Sequence, residues 1–322
     1  MEMMILATKS GTPIIGQVAS VMGWIMDGIY KMLDGLFGVQ NLGLCIIIFS
    51  IIIYLLMTPL QIKQQKFSKL SAFMQPELQK VQKKYQGKRD QISMQKMNEE
   101  TQAIYQKYGV SPTGSCVQLA IQFPILMALW QVIYKIPAYV GSVKDIFTEA
   151  VSHITAVNGY TQLIQNFITD NKMTRVQLIM DGSQATSNSI IDFLYALSPS
   201  QWEQLSAMDQ FSGFSGVIDT AAHEISKMQN FFGLNIADQP MTYIKAAFTG
   251  GAIILAIAAL MIPILSWVTQ MLNIKLMPQA AQQDGEQNAM MSSMKMMNTI
   301  MPLMSAVFCF TFPVGLGIYW IS

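Results

Sequence analysis

Charged and apolar residues occur along this chain in long blocks. Four stretches of 27 to 29 residues contain no Asp, Glu, Lys or Arg, namely 35–62, 108–134, 246–274 and 296–322. A helix needs about 20 apolar residues to cross the hydrocarbon core of a bilayer. A soluble helical protein would interleave charged residues at helical spacing within such stretches. The pattern therefore predicts an all-α, polytopic membrane protein.

Proline and glycine residues suggest where the spans end. We expect a first span over 41–62 that ends at Pro59, a second over 111–140 and a third over 241–273. The stretch 296–322 would hold a fourth span, and Pro313 and Gly315 would end it. A fifth span would begin at Val314 and be cut off at Ser322. The prediction is a five-helix transmembrane core whose last span is truncated.

The distribution of charge predicts the topology. Half of the 20 Lys and Arg residues lie in 63–107 against four acidic residues, whereas 136–244 has four basic and ten acidic residues. Short basic loops stay on the cytoplasmic side, so 63–110 is predicted to be cytoplasmic and the N-terminus outside. With this orientation, the loop 274–295 is also expected in the cytoplasm. Apolar spacing within 63–110 predicts two amphipathic helices, 63–86 and 89–108, which form a hairpin at Gly87 with a kink at Pro76.

The two remaining segments are predicted to lie outside. Residues 1–40 contain an apolar stripe at helical spacing, formed by Ile14, Val18, Val21, Ile25, Ile29, Leu33 and Leu36. Its polar back suggests an amphipathic helix lying flat on the outer membrane surface, and a buried helix of a soluble protein is the alternative. The segment 141–240 is polar, with short helical patterns and a capped helix start at Ser198-Pro199.

The spans contain polar stripes but no catalytic motif. There is no phosphate-binding loop, no metal-ligand spacing and no charged residue within the four uncharged stretches. The pattern therefore predicts neither an enzyme nor a cofactor. Ser50, Tyr54 and Thr58 share one face of the first span, and Ser115, Gln118 and Gln122 share one face of the second. The stripes could line a wet groove in the cytoplasmic half, or they could join helices through hydrogen bonds.

Several short motifs in this order resemble the YidC family of membrane-protein insertases. They are Pro59-Leu60, Gln75-Pro76-Glu77-Leu78, Tyr108-Gly109-Val110-Ser111-Pro112, Gly114-Ser115-Cys116, Ile121-Gln122-Phe123-Pro124-Ile125 and Phe312-Pro313 with Gly315-Leu316 and Tyr319. The match covers about 41–140 and 242–322. Without a large domain before the first span, the chain resembles the Gram-positive-type bacterial branch, whereas the resemblance leaves 141–240 unexplained.

The resemblance implies a function and a set of contacts. Family members move transmembrane segments of nascent proteins into the bacterial plasma membrane, through a groove open to the cytoplasm and to lipid. Ser50 matches a substrate-contact position and Trp320 falls near another, aromatic one, and the resemblance implies that the hairpin meets the arriving chain. The hairpin residues expected to do so are Lys80, Lys83, Lys84, Lys88 and Arg89. Ribosome, targeting factors and the Sec translocon are further partners the family implies. Many bacterial members have an arginine where this chain has Tyr54, so a positively charged groove is in doubt here.

Two other functions fit parts of the pattern. A scaffold for assembling membrane complexes would share every feature except the groove. A small-solute transporter would show internal repeats and broken helices that meet at the midplane, which the sequence lacks. For the basic hairpin, a solvated surface that only sets topology is the alternative to a binding site.

Overall fold

The computed structural model describes residues 7–9, 12–87, 90–109, 114–173, 176, 178–179, 181–182, 184–248, 250, 252–276, 300 and 302–322. As predicted, the described chain is mostly helical, with one two-stranded antiparallel ribbon. It divides into two compact units. The first takes in Met1–Ile51, Pro124–Ser266 and Ala306–Ser322, and the second Ile52–Phe123 and Trp267–Ser305.

The elements follow one another in the following order. The helices of the first half are α1 (Ile15–Phe37), α2 (Leu42–Tyr85), α3 (Gln91–Lys107), α4 (Gly114–Tyr134), α5 (Ile136–Tyr139), α6 (Gly141–Ala156) and α7 (Tyr160–Asp170). After them come α8 (Gln184–Tyr195), α9 (Pro199–Ser206), a 3₁₀ turn (Asp209–Phe214), α10 (Ser215–Gln229), β1 (Asn230–Phe231) and β2 (Leu234–Asn235). The chain ends with α11 (Pro240–Phe248), α12 (Ile253–Leu276), α13 (Pro302–Thr311) and α14 (Val314–Ile321).

Within the described residues, two helical segments are long and apolar enough to cross a bilayer. They are Leu42–Lys63, which is the first part of α2, and Ile253–Leu276, which is α12. Two shorter apolar segments, Phe123–Tyr134 and Pro302–Thr311, lie in the second and fourth predicted spans. The structure thus agrees with a membrane protein, and the full five-span core remains a prediction.

The first helix boundary differs from the prediction. We expected a break near Pro59 and a new helix at 63, but α2 is one helix of 44 residues that contains both Pro59 and Pro76. A proline removes one backbone hydrogen bond and fixes φ at a value that a helix accepts. The residues on both sides of Pro59 are good helix formers, and this continuity outweighs the loss.

The third predicted span is also divided. Instead of one helix over 241–273, the structure has α11 and α12, and the residue Gly250 between them has a φ of +94°. Only glycine adopts this left-handed region without strain, so the chain can turn there. By contrast, the predicted break at Pro313 is confirmed, because α14 begins at Val314.

The described residues of 141–240, for which we expected an outer loop or a helical insertion, form a packed helical domain. Its interior holds fully buried aromatic rings, of which Phe147, Phe193 and Phe211 are 0% exposed. The predicted helix start at Ser198 is confirmed as a capping box, in which the Gln201 side chain accepts a hydrogen bond from the Ser198 backbone N–H at 2.9 Å. We refer to α5–α10 with the ribbon β1–β2 as the outer domain, after the location predicted from its charge.

Helix α1 has two apolar faces. One face, with Met22, Met26 and Tyr30, is buried, and α1 contacts α5 and α6 of the outer domain. Asp27 fastens this contact, since its carboxylate accepts hydrogen bonds from the Ser142 backbone N–H and hydroxyl. The predicted stripe is divided between the faces, because Ile29 and Leu33 are buried whereas Ile14 and Val21 are exposed. Helix α1 is therefore buried along one face, and its placement on the membrane surface remains a prediction.

Candidate functional site

The predicted polar stripe on α2 contains one buried and two exposed side chains. Ser50 is 0% exposed, and its hydroxyl donates a hydrogen bond to the Ile46 carbonyl at 2.7 Å. Tyr54 is 41% exposed. Thr58 is exposed as well, and its hydroxyl donates to the Tyr54 carbonyl at 2.9 Å. The stripe therefore presents a phenol and a threonine hydroxyl at the surface, whereas Ser50 is part of the packed interior.

The second predicted stripe lies on the backbone of α4. The side chains of Gln118 and Gln122 fall outside the described residues, as does that of Ser115. The segment Ile52–Phe123 belongs to one compact unit, so both glutamines lie in the same unit as Tyr54 and Thr58. Ser50 and Trp320 belong to the other unit.

Trp320 is part of a group of aromatic side chains that sequence reasoning missed. Its ring centroid lies 6.2 Å from that of Phe312. Phe312 in turn stacks on Phe308 at 5.5 Å and meets Trp130 edge-on at 6.5 Å. Trp130 stacks on Tyr134, one helical turn further along α4. These rings join α4, α13 and α14, and the i, i+4 spacing of two of these pairs is the signal that could have indicated them.

The basic residues predicted to contact partners differ in their surroundings. Lys80 and Lys83 are exposed. Lys84 is exposed too, but its ammonium pairs with the Glu100 carboxylate on α3. Lys88 and Arg89 lie outside the described residues.

Two clusters of the same composition connect α2 and α3. Glu77 accepts hydrogen bonds from the Lys107 ammonium at 2.7 Å and from the Tyr108 hydroxyl at 2.9 Å. Glu100 accepts from the Lys84 ammonium and, at 2.9 Å, from the Tyr85 hydroxyl. The pairs run in opposite directions along the chain, so the two helices are antiparallel over this segment. We refer to α2 from Glu77 onwards together with α3 as the basic hairpin.

Hydrogen bonding sets the electrostatics of these clusters. The Lys107 ammonium, with the Tyr108 hydroxyl, holds the pKa of Glu77 below its ordinary value. In the same way, Lys84 and then Tyr85 lower the pKa of Glu100. Both carboxylates are therefore ionised at neutral pH and bind their partners in the charged form.

An internal repeat in the sequence accounts for the two clusters. Glu77 precedes Lys84-Tyr85 by the same interval that separates Glu100 from Lys107-Tyr108, so each helix carries Glu, six residues, then Lys-Tyr. In an antiparallel pair, this arrangement brings the Glu of each helix to the Lys-Tyr of the other. The prediction for 63–110 used the spacing of apolar residues, whereas this repeat appears only in the spacing of Glu, Lys and Tyr, so sequence reasoning missed it.

The comparison with known families decides where the chain belongs. The model of the family described as 60Kd inner membrane protein, the YidC/Oxa1 family, matches residues 32–322. The chain belongs to the YidC family. The predicted resemblance is thereby confirmed. The match also takes in the outer domain, which the motifs alone left unexplained.

Several bacterial relatives are similar to parts of this YidC-family chain. Membrane protein insertase MisCA of Bacillus subtilis is 45% identical over 99 residues, which are 31% of this chain and 38% of that protein. Membrane protein insertase YidC 1 of Halalkalibacterium halodurans is 39% identical over 114 residues, which are 35% and 42%. Membrane protein insertase YidC of Bifidobacterium longum is 32% identical over 158 residues, which are 45% and 47%. The chain thus spans about two fifths to a half of the length of these relatives.

Proposed function

We propose that this protein is a membrane-protein insertase, which moves transmembrane segments of nascent proteins from the cytoplasm into the bilayer. The family match over 32–322 supports this proposal most strongly, together with relatives that are named insertases. The groove would be lined by Tyr54, Thr58, Gln118 and Gln122. Ser50 is not included in this lining, because it is buried and its hydroxyl is bonded to its own helix.

The proposed mechanism needs no catalytic residue and no ATP. A segment of about 20 apolar residues gains roughly 0.3 to 0.6 kcal/mol for each Leu, Ile, Phe or Val that enters lipid. Insertion is thus favourable, and the barrier is the polar flank that must cross the hydrocarbon. Exposed hydroxyls at Tyr54 and Thr58 would offer that flank hydrogen bonds partway across.

The proposed location is the bacterial plasma membrane, with the basic hairpin in the cytoplasm. The charge contrast supports this orientation, since 63–107 contains ten basic and four acidic residues whereas 136–244 contains four basic and ten acidic residues. The outer domain and the N-terminus would then lie outside. In the hairpin, the exposed residues Lys80, Lys83 and Lys84 would meet an arriving chain, a ribosome or a targeting factor. The Sec translocon would be a further partner.

Photo-crosslinking from the α2 stripe tests the proposal. A photoreactive residue at position 54, in the full chain in its native membrane, should crosslink to a nascent transmembrane segment during synthesis. Position 56 is the matched control, because Leu56 is 64% exposed on the same helix but stands off the stripe. A scaffold would crosslink as well from 56 as from 54, and that outcome would contradict an insertase groove. Depletion of the protein should then leave the crosslinked substrates uninserted.

The uncharged side chain of Tyr54 suggests which substrates the groove prefers. A neutral phenol avoids the roughly 2.5 to 3.5 kcal/mol that a central arginine costs in a membrane, but it cannot attract an acidic tail. We therefore expect substrates with short or weakly charged outer tails. Tyr54→Arg should increase the insertion of a substrate with an acidic tail several-fold, and it should leave a substrate with a neutral tail unchanged. An insertion assay with the two tails measures this, and equal insertion of the acidic tail by both proteins would contradict the hypothesis.

A further inference from the structure

The turn of the β1–β2 ribbon holds an aromatic residue where hairpins favour a small polar one. Phe232 and Gly233 are the two residues between the paired strands, and both have positive φ, at 51° and 83°. Two-residue turns of this kind strongly favour Asn-Gly, because the first position is strained for side chains with bulk near the backbone. Phe232 is thus unfavourable for the turn itself.

Packing within the protein does not explain Phe232 either. The residue is 85% exposed, although its ring meets that of Phe231 with centroids 4.7 Å apart. The strand residues beside it do pack, since Phe231 lies against Gly43 and Leu234 is 3% exposed. A strained, exposed aromatic residue on an otherwise packed ribbon points to a contact outside the chain.

The ribbon lies at the ends of two candidate spans. The Asn41 side chain, just before α2, donates a hydrogen bond to the Asn230 carbonyl at 2.7 Å. On the other side of the turn, a Cβ on Gly233 would stand 3.0 Å from the Leu255 side chain. Leu255 is the third residue of α12, so the turn is beside the point where this span begins.

Exposed apolar side chains flank the start of the span beside the turn. Ile253 and Ile254 at the start of α12 are 66% and 80% exposed, and Phe248 at the end of α11 is 88% exposed. Residues 228–237 contain no charged side chain. A spanning helix faces lipid with its exposed apolar side chains, and Phe232 extends that face onto the outer domain.

From this geometry we propose that the Phe232 turn is a lipid anchor. Its ring enters the boundary of the bilayer beside the start of α12 and attaches the outer domain to the membrane surface. Lipid explains both the positive φ of Phe232 and its exposure. Burial of the aromatic ring in the membrane boundary is favourable in free energy and offsets the strain in the turn. The occupant we assign is bilayer phospholipid rather than a protein.

Photo-crosslinking with a phenylalanine analogue tests the anchor with little change of shape. The full chain carries p-benzoylphenylalanine at position 232 and is placed in vesicles of phosphatidylethanolamine and phosphatidylglycerol. After irradiation and proteolysis, we expect the peptide 228–245 to carry the added mass of a phospholipid. The control is the same analogue at Ser212, which is exposed and precedes the first residue of α10. At the rise of an α-helix, that end of α10 is about 21 Å from Gln229, the last residue before the ribbon. It should acquire at least several-fold less lipid.

A second measurement keeps the test decisive if the analogue disturbs the turn. A single environment-sensitive fluorophore on Phe232→Cys, with the native cysteines replaced, should be quenched by nitroxide-labelled lipid and protected from iodide in water. The same fluorophore on Ser212→Cys should show the opposite. Quenching of both by iodide to the same extent would overturn the anchor. So would a crosslink from 232 to protein, which would mean that a second copy or another protein covers the turn.

Discussion

The outer domain and the basic hairpin are both helical, but different forces hold them together. In the outer domain, the rings of Phe147, Phe193 and Phe211 are fully buried. In the hairpin, α3 has no buried residue, and Glu77 and Glu100 connect it to α2 through exposed ion pairs and tyrosine hydroxyls. Apolar burial gives stability that salt does not remove, whereas exposed ion pairs contribute little and are screened.

This difference suits the two proposed roles. An outer domain held by a packed core keeps one shape, and it can fix the ends of the spans. Backbone hydrogen bonds show such fixing, because the Asp238 and Ile236 carbonyls accept from the first N–H groups of α14, at 2.8 and 2.9 Å. A hairpin held by exposed contacts can open and re-form at low cost when a nascent chain arrives.

The largest expected effect comes from emptying the core of the outer domain. Phe193→Ala removes a ring that is 0% exposed and stands 5.6 Å from that of Phe167. We expect a loss of about 3 to 5 kcal/mol in the free energy of unfolding of this domain. Thermal unfolding in lipid nanodiscs, followed by protease sensitivity of 141–240, measures it.

The matched control makes the same change at an exposed position outside the outer domain. Phe73 on α2 is 70% exposed, and Phe73→Ala should change stability by less than about 0.5 kcal/mol. If both variants lost stability equally, the packed core would not be what distinguishes the outer domain.

A smaller effect is expected where α1 meets the outer domain. Gly23 lies directly against Tyr139 of α5, and a Cβ at Gly23 would stand 2.7 Å from that of Tyr139. Gly23→Ala should therefore destabilise this contact by about 1 to 3 kcal/mol through overpacking.

Gly28 on the same helix provides the control for this change. A Cβ at Gly28 would have nothing within 4 Å, so Gly28→Ala should stabilise α1 by up to about 1 kcal/mol through helix propensity. Thermal unfolding of both variants in nanodiscs measures the difference, and two shifts of the same sign would show that α1 does not pack on the outer domain as described.

The sequence predicted the parts of this fold that depend on the composition of long stretches or on single residues that end a helix. Uncharged stretches indicated the spans, and the Pro at 313 and the cap at Ser198 indicated helix ends. The division of the third span was missed because Gly250 could equally have stood within a helix, and only its φ of +94° shows the turn. At Pro59 the error was the opposite one. We expected a helix end there, but a proline can be accommodated inside a long helix.

The candidate site was predictable to a smaller extent. Spacing placed Ser50, Tyr54 and Thr58 on one face of α2, but spacing does not show which part of a face is packed. Only the structure shows that Ser50 is 0% exposed while Tyr54 is 41% exposed. The Glu-Lys-Tyr clusters depend on which helix faces which, although their repeat was visible in the sequence.

The smallest expected effect concerns the two Glu-Lys-Tyr clusters. Their response to salt and pH should distinguish the hairpin from the outer domain. Spin labels at Lys80→Cys and Gln102→Cys, both exposed positions, report the distance between α2 and α3. Raising the salt concentration from about 0.1 to 1 M shortens the screening length from about 10 to 3 Å, and the distance distribution should broaden. Unfolding of the outer domain should be nearly unaffected.

The pH dependence of the same distance has a defined sign. The folded pKa of Glu77 and of Glu100 lies below the ordinary value of 4.5, so their contribution is fully present above pH 4.5 and is lost as the pH falls through the lowered pKa. Glu77→Gln with Glu100→Gln should broaden the distribution at neutral pH and remove most of its response to acid. Glu99→Gln is the control, because Glu99 accepts a hydrogen bond from Gln95 of its own helix. A response to acid that survives in the double variant would mean that other groups hold the hairpin closed.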